Sequence, residues 1–297
     1  MTLGHLAIKH RYRIATVLLL VTVFCWFMAW VFHVPPNLLS AFSGPDENLR
    51  MLIPKYIAAH GTLPTGYDAE AIGPVGNWSY AFYPQLLGAV VSAVFIKLAS
   101  IFGVSGDGLI YAARFTSVLF GLISVYCVGK IAETVARYKK TRGAKLYGLG
   151  AIVLLAAWPQ FAYLSSYVNN DVIAFAGTAL ITLAVLKAAL FGWNQRYATL
   201  LSAGIVVCML GYTNSYGFIV AGVIAFVILL FNQKLSSLYR IRIVVCAAAL
   251  PILIGFPFYI PMPSYTKEML RVYRHFRREQ FSGSEKIIEA YKPDTMR

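Results

Sequence analysis

The segment SGPDENLRMLIPKYIAAHGTL, residues 43–63, places two adjacent carboxylates, Asp46 and Glu47, directly after the turn-forming pair Gly44-Pro45. A proline is tolerated in the first turn of a helix, where exposed N–H groups and the helix dipole favour negative charge. Apolar residues then recur at helical spacing on one face: Leu49, Leu52, Ile53, Tyr56 and Ile57. Gly61 stands in the C-cap position. The pattern predicts a short helix along a membrane surface, with the two acids as the leading candidate site.

Composition assigns the chain to the integral membrane proteins. It has 297 residues, of which 59% are hydrophobic and only 13% are charged, and its mean hydropathy is +0.65. Apolar runs of about 18 residues or more, long enough to cross a hydrocarbon core of roughly 30 Å, recur along its length. The predicted fold class is therefore an all-α, multi-pass membrane protein.

The formal net charge of +14 does not indicate a nucleic-acid-binding protein, because the Lys and Arg residues form short clusters between apolar runs. The four cysteines lie inside apolar runs without CxxC spacing, and the five histidines are scattered. These patterns support neither a disulfide framework nor a zinc site. No metal ligand is assigned from the sequence.

The distribution of basic residues predicts the topology. Lys9, Arg11 and Arg13 precede an apolar run at 14–34, which is too long for a signal peptide and predicts an uncleaved first span with a cytoplasmic N-terminus. If residues 84–102 also crossed, the basic segment 137–145 would lie on the outer face, against the positive-inside rule. We therefore expect residues 84–102 to form a second juxtamembrane helix in the outer interface.

This topology gives seven spans in a transmembrane core, residues 1–260, with an outer loop at 35–109 that carries the two juxtamembrane helices. After the first span, the predicted spans are 110–132, 146–166, 172–191, one ending at Tyr212, one ending before Lys234, and 243–260 broken by Pro251, Gly255 and Pro257. Residues 261–297 form a basic, amphipathic tail whose side of the membrane stays open.

Two isolated charges near predicted membrane boundaries are further candidates. Asp171 is the only acidic residue between Glu133 and Glu268. A carboxylate near hydrocarbon is costly and often functional, but Asp171 is also a suitable helix cap. Arg114, at the start of the second span, can bind phosphate or extend to the lipid head groups. Likewise, Asp46 and Glu47 can be ordinary loop acids.

Taken together, these motifs resemble those of the GT-C membrane glycosyltransferases, in particular the protein mannosyltransferase and aminoarabinose transferase group and related bacterial membrane proteins. The resemblance covers residues 14–235 and rests on a first span followed by PDE (45–47), a second apolar interface helix, ARFTSVLFG (113–121) and VNND (168–171). It implies a bacterial plasma-membrane enzyme that transfers a sugar from a polyprenyl-phosphate donor to an acceptor on the outer face.

The resemblance also implies roles for individual residues. Asp46 corresponds to the catalytic acid of the first outer loop and would act as general base, with Glu47 as its neighbour. Asp171 corresponds to the acid of the second outer loop and would position the acceptor or the sugar hydroxyls. The phosphate and substrate contacts would come from Arg114, Arg50, Lys55 and Tyr83. No cofactor is assigned, and a divalent metal is left open.

The chain departs from the family pattern at two points. Phe82-Tyr83-Pro84 stands where relatives carry Glu-Lys-Pro or His-Pro-Pro, and the Thr213-Asn214 region replaces a basic residue. The family's members are usually longer. These departures favour an alternative function, a non-catalytic subunit that binds lipid-linked sugar or scaffolds a polysaccharide machine together with a partner membrane protein. A transporter has less support, because Lys187 is the one charge deep in a predicted span.

Overall fold

The computed structural model describes residues 3–36, 46–64, 68–72, 79–83 and 85–259. Helices make up almost all of this part of the chain. They are α1 (Leu3–His33), α2 (Glu47–His60), α3 (Leu87–Ile101), α4 (Gly108–Tyr138), α5 (Ala144–Ala157), α6 (Pro159–Leu164), α7 (Asp171–Phe191), α8 (Gln195–Gly211), α9 (Tyr216–Asn232), α10 (Ser237–Leu250) and α11 (Phe256–Tyr259). Short 3₁₀ turns at Ala69–Ala71, Tyr80–Phe82 and Thr213–Ser215 connect some of them, and a π-helical turn, Pro251–Gly255, joins α10 to α11.

Five helical segments in the described residues are long and apolar enough to cross a membrane: Arg11–His33, Gly108–Tyr138, Asp171–Phe191, Thr213–Asn232 and Ser237–Gly255. Three further apolar helices, α3, α5 and α8, are shorter. The protein is therefore an all-helical, multi-pass membrane protein, as the composition predicts.

Proline positions explain two differences from the expected segments. The predicted segment 146–166 is two helices, because Trp158 adopts an extended conformation and Pro159 begins α6, where its missing N–H costs nothing. The last predicted segment begins at Ser237, six residues earlier than expected, and its α-helix ends at Leu250, directly before the predicted break at Pro251. Beyond this point the backbone continues as a π-helical turn, Pro251–Gly255.

Glycines bring neighbouring helices into close contact. A Cβ at Gly204 of α8 would lie 2.9 Å from Ile181 N and 3.0 Å from Gly177 O of α7. A Cβ at Gly129 of α4 would lie 3.0 Å from Gly148 O of α5. Such contacts between small residues let helix backbones approach closely. In a membrane this close packing stabilises helix association, because the hydrophobic effect does not favour a neighbouring helix over lipid.

Helix α4 is longer than a single crossing requires. Its 31 residues extend about 46 Å, against a hydrocarbon core of roughly 30 Å. Helix α3 packs beside its first turns, where Ser92 Oγ donates to Thr116 Oγ1 (2.9 Å) and to Ala113 O (3.2 Å). With 15 residues, α3 is about 22 Å long and, like α5 and α8, is not one of the five long apolar helices.

Helix α2 has the predicted bounds but a different buried face. It starts at Glu47, and Gly61 ends it at φ 72° with its N–H bonded to Ile57 O. Its buried residues are Glu47, Met51, Ile53 and Pro54, whereas most of the expected apolar stripe is only half-buried. Helix α2 therefore packs against α3 and α4 through a face that shares Ile53 with the expected apolar stripe but otherwise consists of Glu47, Met51 and Pro54.

Several expectations fall on residues outside the described part of the chain. They are the turn at Gly44-Pro45, the Pro84 of the motif before α3, and the amphipathic tail at 261–297.

Candidate functional site

Glu47 and Arg114 form a fully buried ion pair at one end of the helix bundle. Both side chains are 0% exposed. Arg114 Nε donates to Glu47 Oε1 at 2.9 Å, and Arg114 Nη2 donates to Glu47 Oε2 at 2.6 Å. This two-bonded geometry is the strongest arrangement available to an arginine and a carboxylate.

Backbone groups satisfy the rest of the pair. Arg114 Nη1 donates to Val31 O (2.9 Å) and to Val34 O (2.5 Å), and Nη2 also donates to Pro35 O (3.3 Å). Val168 N donates to Glu47 Oε1 at 2.8 Å. The pair thus ties the end of α1, the start of α2, the first turns of α4 and the loop before α7 to one point.

This geometry changes the roles expected for both residues. A guanidinium has five N–H groups, and all five of Arg114 are engaged within the protein. None remains for a phosphate. The Glu47 carboxylate likewise has no exposed surface from which to reach a substrate. We therefore assign Glu47 and Arg114 a structural role in place of the catalytic and phosphate-binding roles that the sequence suggested.

Asp46 turns away from its neighbour. Its backbone is in the left-handed region, with φ 58° and ψ 6°, which few residues other than glycine adopt. Asp tolerates this conformation better than most side chains. As a result, Glu47 is buried while Asp46 stays exposed, and the two adjacent carboxylates lie in different environments.

Asp46 lines a cavity of about 370 Å³ between α2, α3, α4, the loop before α7 and the Thr213–Ser215 turn; we call this the Asp46 cavity. The side chains around it are mostly polar or aromatic. The lining residues are Asp46, Arg50, Ile53, Tyr80, Tyr83, Gln85, Leu86, Gly88, Ala89, Ser92, Thr116, Ser117, Val168, Asn169, Asn170, Tyr212, Thr213 and Asn214. Its volume falls within the roughly 300–1,000 Å³ of small-molecule pockets.

Arg50 supplies a positive charge to this cavity. Its guanidinium carbon lies 4.7 Å from the centre of the Tyr80 ring and 5.8 Å from that of Tyr212, both within cation–π distance. Its Nε is buried without a hydrogen-bond partner, and no ion pair with an acid is formed by Arg50 among the described residues. Arg50 can therefore receive an anion.

Tyr80 links the acid to the cation. Its hydroxyl donates to Asp46 Oδ2 at 3.1 Å. Burial and the nearby Asp46 carboxylate raise the pKa of Tyr80 to about 12, although the Arg50 charge acts in the opposite direction. The hydroxyl therefore stays protonated at neutral pH and holds the Asp46 carboxylate in place.

The loop before α7 forms the opposite wall of the cavity. Asn169 Nδ2 donates to Leu164 O (2.6 Å) and Tyr167 O (2.8 Å), and its Oδ1 accepts from Val172 N (3.0 Å). Ser117 Oγ also donates to Tyr167 O, at 2.6 Å. Asn169 is therefore the residue that caps α7 and fixes this wall.

The remaining predicted site residues divide into two groups. Tyr83 lines the cavity. Lys55 is exposed and is not a lining residue, since it lies on another face of α2. Asp171, in the first turn of α7, is half-buried next to the lining residues Asn169 and Asn170 but does not itself line the cavity. It acts on Tyr167 instead, where burial and the Asp171 charge raise the tyrosine's pKa.

Sequence reasoning missed most of the polar wall. Ser92, Thr116 and Ser117 stand inside apolar helical segments, and this interruption of an apolar run was the available signal. Tyr80 was not among the candidate residues, although it contacts both charged residues of the cavity.

No group of three or more His, Cys, Asp or Glu side chains suited to a metal ion occurs within the described ranges. Comparison of the chain with protein-family models, curated proteins and solved structures finds no match.

Proposed function

We propose that the protein is a seven-span glycosyltransferase of the GT-C type in a bacterial plasma membrane, with a cytoplasmic N-terminus and the Asp46 cavity on the outer face. The observation that carries the proposal is the placement of Asp46 and Arg50 four residues apart in one cavity, where neither is used in an ion pair within the described residues. A base and a cation in the same cavity are what transfer from a phosphate-linked donor requires.

The chemistry assigns one role to each charge. The Asp46 carboxylate takes the proton from an acceptor hydroxyl as the hydroxyl oxygen bonds to the anomeric carbon of the sugar. The bond between that carbon and the phosphate oxygen breaks, and polyprenyl phosphate leaves with the bonding electrons. Arg50 stabilises the negative charge that develops on the phosphate. The rings of Tyr80 and Tyr212 and the amides of Asn170 and Asn214 supply surfaces and hydrogen-bonding groups suited to a sugar.

The decisive experiment replaces Asp46 in the purified protein. Asp46→Asn keeps the size of the side chain but removes the base, so we expect transfer from a polyprenyl-phosphate-linked sugar to fall about 10²- to 10⁴-fold. Binding of the donor lipid should change little. Asp107→Asn is the matched control, because Asp107 is an exposed acid in the turn between α3 and α4. Transfer by Asp46→Asn at the parent's rate would reject the proposal.

The second candidate is a non-catalytic subunit that binds a lipid-linked sugar beside a partner membrane protein. It is favoured because Glu47 and Arg114 bind each other in the buried pair and do not line the cavity. Asp46 is then the one acid and Arg50 the one cation that line it. In that case Arg50→Gln abolishes donor binding, while neither the parent nor Asp46→Asn transfers sugar.

A further inference from the structure

A second cavity lies at the opposite end of the bundle, where α4 ends and α5 begins; we call it the basic cavity. It has a volume of about 200 Å³ and is bounded by α1, α4 and α5. Five charged side chains line it: Arg13, Lys130, Glu133, Arg137 and Lys145.

The charges in the basic cavity do not balance. Glu133 accepts from Lys130 Nζ at 2.8 Å through Oε2, and from Arg137 Nη2 through Oε1. Both carboxylate oxygens are thus already used. Arg13 and Lys145 form no ion pair with an acid in the described part of the chain. Four cations and one carboxylate leave an excess of three positive charges.

The two unpaired cations differ in exposure, since Arg13 lines the cavity from an exposed position whereas Lys145 is held against α1. Lys145 is half-buried, and its Nζ lies 4.6 Å from the centre of the Tyr12 ring. Tyr12 precedes Arg13 on α1, and both residues line the cavity. Because Lys145 stays against α1 instead of extending freely into solvent, general attraction to a membrane surface does not account for its position.

Neighbouring charges add to the positive potential. A cavity of about 540 Å³ on the other side of α4 shares Lys130, Glu133 and Arg137 and is also lined by Lys187. The other acids of the described residues lie between 46 and 70 or at Asp107 and Asp171, in segments away from this end. The excess of positive charge among the residues described at this end of the bundle therefore favours the binding of an anion.

Size and surroundings indicate an anionic group attached to apolar chains. The basic cavity is smaller than the roughly 300–1,000 Å³ of a typical small-molecule pocket. Exposed apolar side chains flank it on both helices: Val17 on α1 is 59% exposed, and Leu146 and Val153 on α5 are 58% and 48% exposed. Acyl chains can lie against this surface while the head group enters the cavity.

We propose that the basic cavity binds the phosphate of an anionic lipid head group, with Arg13 and Lys145 as its principal contacts. Basic pockets between membrane helices bind lipid phosphates in this way. The site is independent of the Asp46 cavity and of the proposed transfer reaction.

The test measures how much phosphatidylglycerol the full-length protein retains. The protein is reconstituted in nanodiscs of phosphatidylcholine with increasing phosphatidylglycerol, and bound lipid is counted by native mass spectrometry after release into mild detergent. The Arg13→Gln/Lys145→Gln double variant should bind phosphatidylglycerol about 25-fold more weakly, because each cation near a membrane surface contributes about fivefold to lipid affinity. Lys145→Arg, which keeps the charge, should retain most of the binding and shows that the position tolerates substitution.

The matched control is Arg142→Gln/Arg196→Gln, which removes two exposed charges near the same end that do not line the basic cavity. If this control and the cavity variant lose lipid equally, the proposal is overturned in favour of general attraction to the membrane surface. If the cavity variant retains as much lipid as the parent, the proposal is also overturned. Addition of inorganic phosphate distinguishes the source. Displacement of the lipid supports a site for the phosphate group itself, whereas retention supports one that requires the whole head group and its chains.

Discussion

Replacement of Arg114 by methionine should destabilise the protein strongly without acting directly on a ligand. The change removes five donated hydrogen bonds and leaves the carboxylate of Glu47 buried with the N–H of Val168 as its remaining donor in the described structure. Breaking a buried pair by removing one partner costs about 3–5 kcal/mol. The carbonyls of Val31, Val34 and Pro35 also lose a donor, so we expect the upper end of that range.

The assay is equilibrium unfolding in mixed micelles, followed by circular dichroism, for the parent, each single variant and the double variant Glu47→Leu/Arg114→Met. The double variant removes both charges, so it should be more stable than the sum of the two single losses predicts. We expect a coupling free energy of about 2 kcal/mol. Arg142→Met, at an exposed position, serves as the control and should unfold like the parent.

One result would refute this reasoning directly. If Arg114→Met unfolds at the parent's denaturant concentration but no longer binds a polyprenyl phosphate, then Arg114 is a ligand contact and the buried pair has no structural role. A coupling free energy near zero would equally show that the two side chains act independently.

Two further predictions concern packing and topology. Gly204→Ala should destabilise the α7–α8 contact by about 1–3 kcal/mol, because its Cβ would lie 2.9 Å from a backbone nitrogen. Gly150→Ala is the control and should be neutral or slightly stabilising, because a Cβ there would have no atom within 4 Å. The same unfolding assay measures both variants. In a cysteine-free background, single cysteines at Ser105 and Arg142 should react with a membrane-impermeant thiol reagent from opposite sides, and labelling of both from one side would contradict the proposed topology.

Much of the helical framework could be predicted from the sequence, because apolar length, glycine and proline act locally. The end of α2 at Gly61 depends only on neighbouring residues, and so does the break at Trp158-Pro159, although the predicted segment 146–166 ran through it. The start of α10 was placed too late because Arg240 and Arg242 interrupt the apolar run. Their chains are long enough to carry the charges away from the helix, so the helix continues through them.

The candidate site was predicted less well, because its decisive contacts join distant parts of the chain. Glu47 and Arg114 are 67 residues apart, and adjacent acids give no local sign of which one has a buried partner. The left-handed backbone of Asp46, which separates the two carboxylates, is equally invisible in the residue types. The short motif therefore indicated two adjacent acids but not the different environments in which they lie.

That division gives the buried pair a function in the proposed reaction even though it contacts no substrate. Residues four apart share a helix face, so Asp46 and Arg50 face the cavity together, whereas Glu47 is rotated away and anchors the same turn to Arg114. A catalytic group must be held close to its productive geometry, and the buried pair adds a fixed contact for the first turn of α2 to those that this helix makes with α3. Loss of Arg114 should therefore reduce sugar transfer through the position of α2. Activity alone cannot separate this effect from a lost phosphate contact, but stability can, because only the structural role predicts that transfer and unfolding free energy fall together.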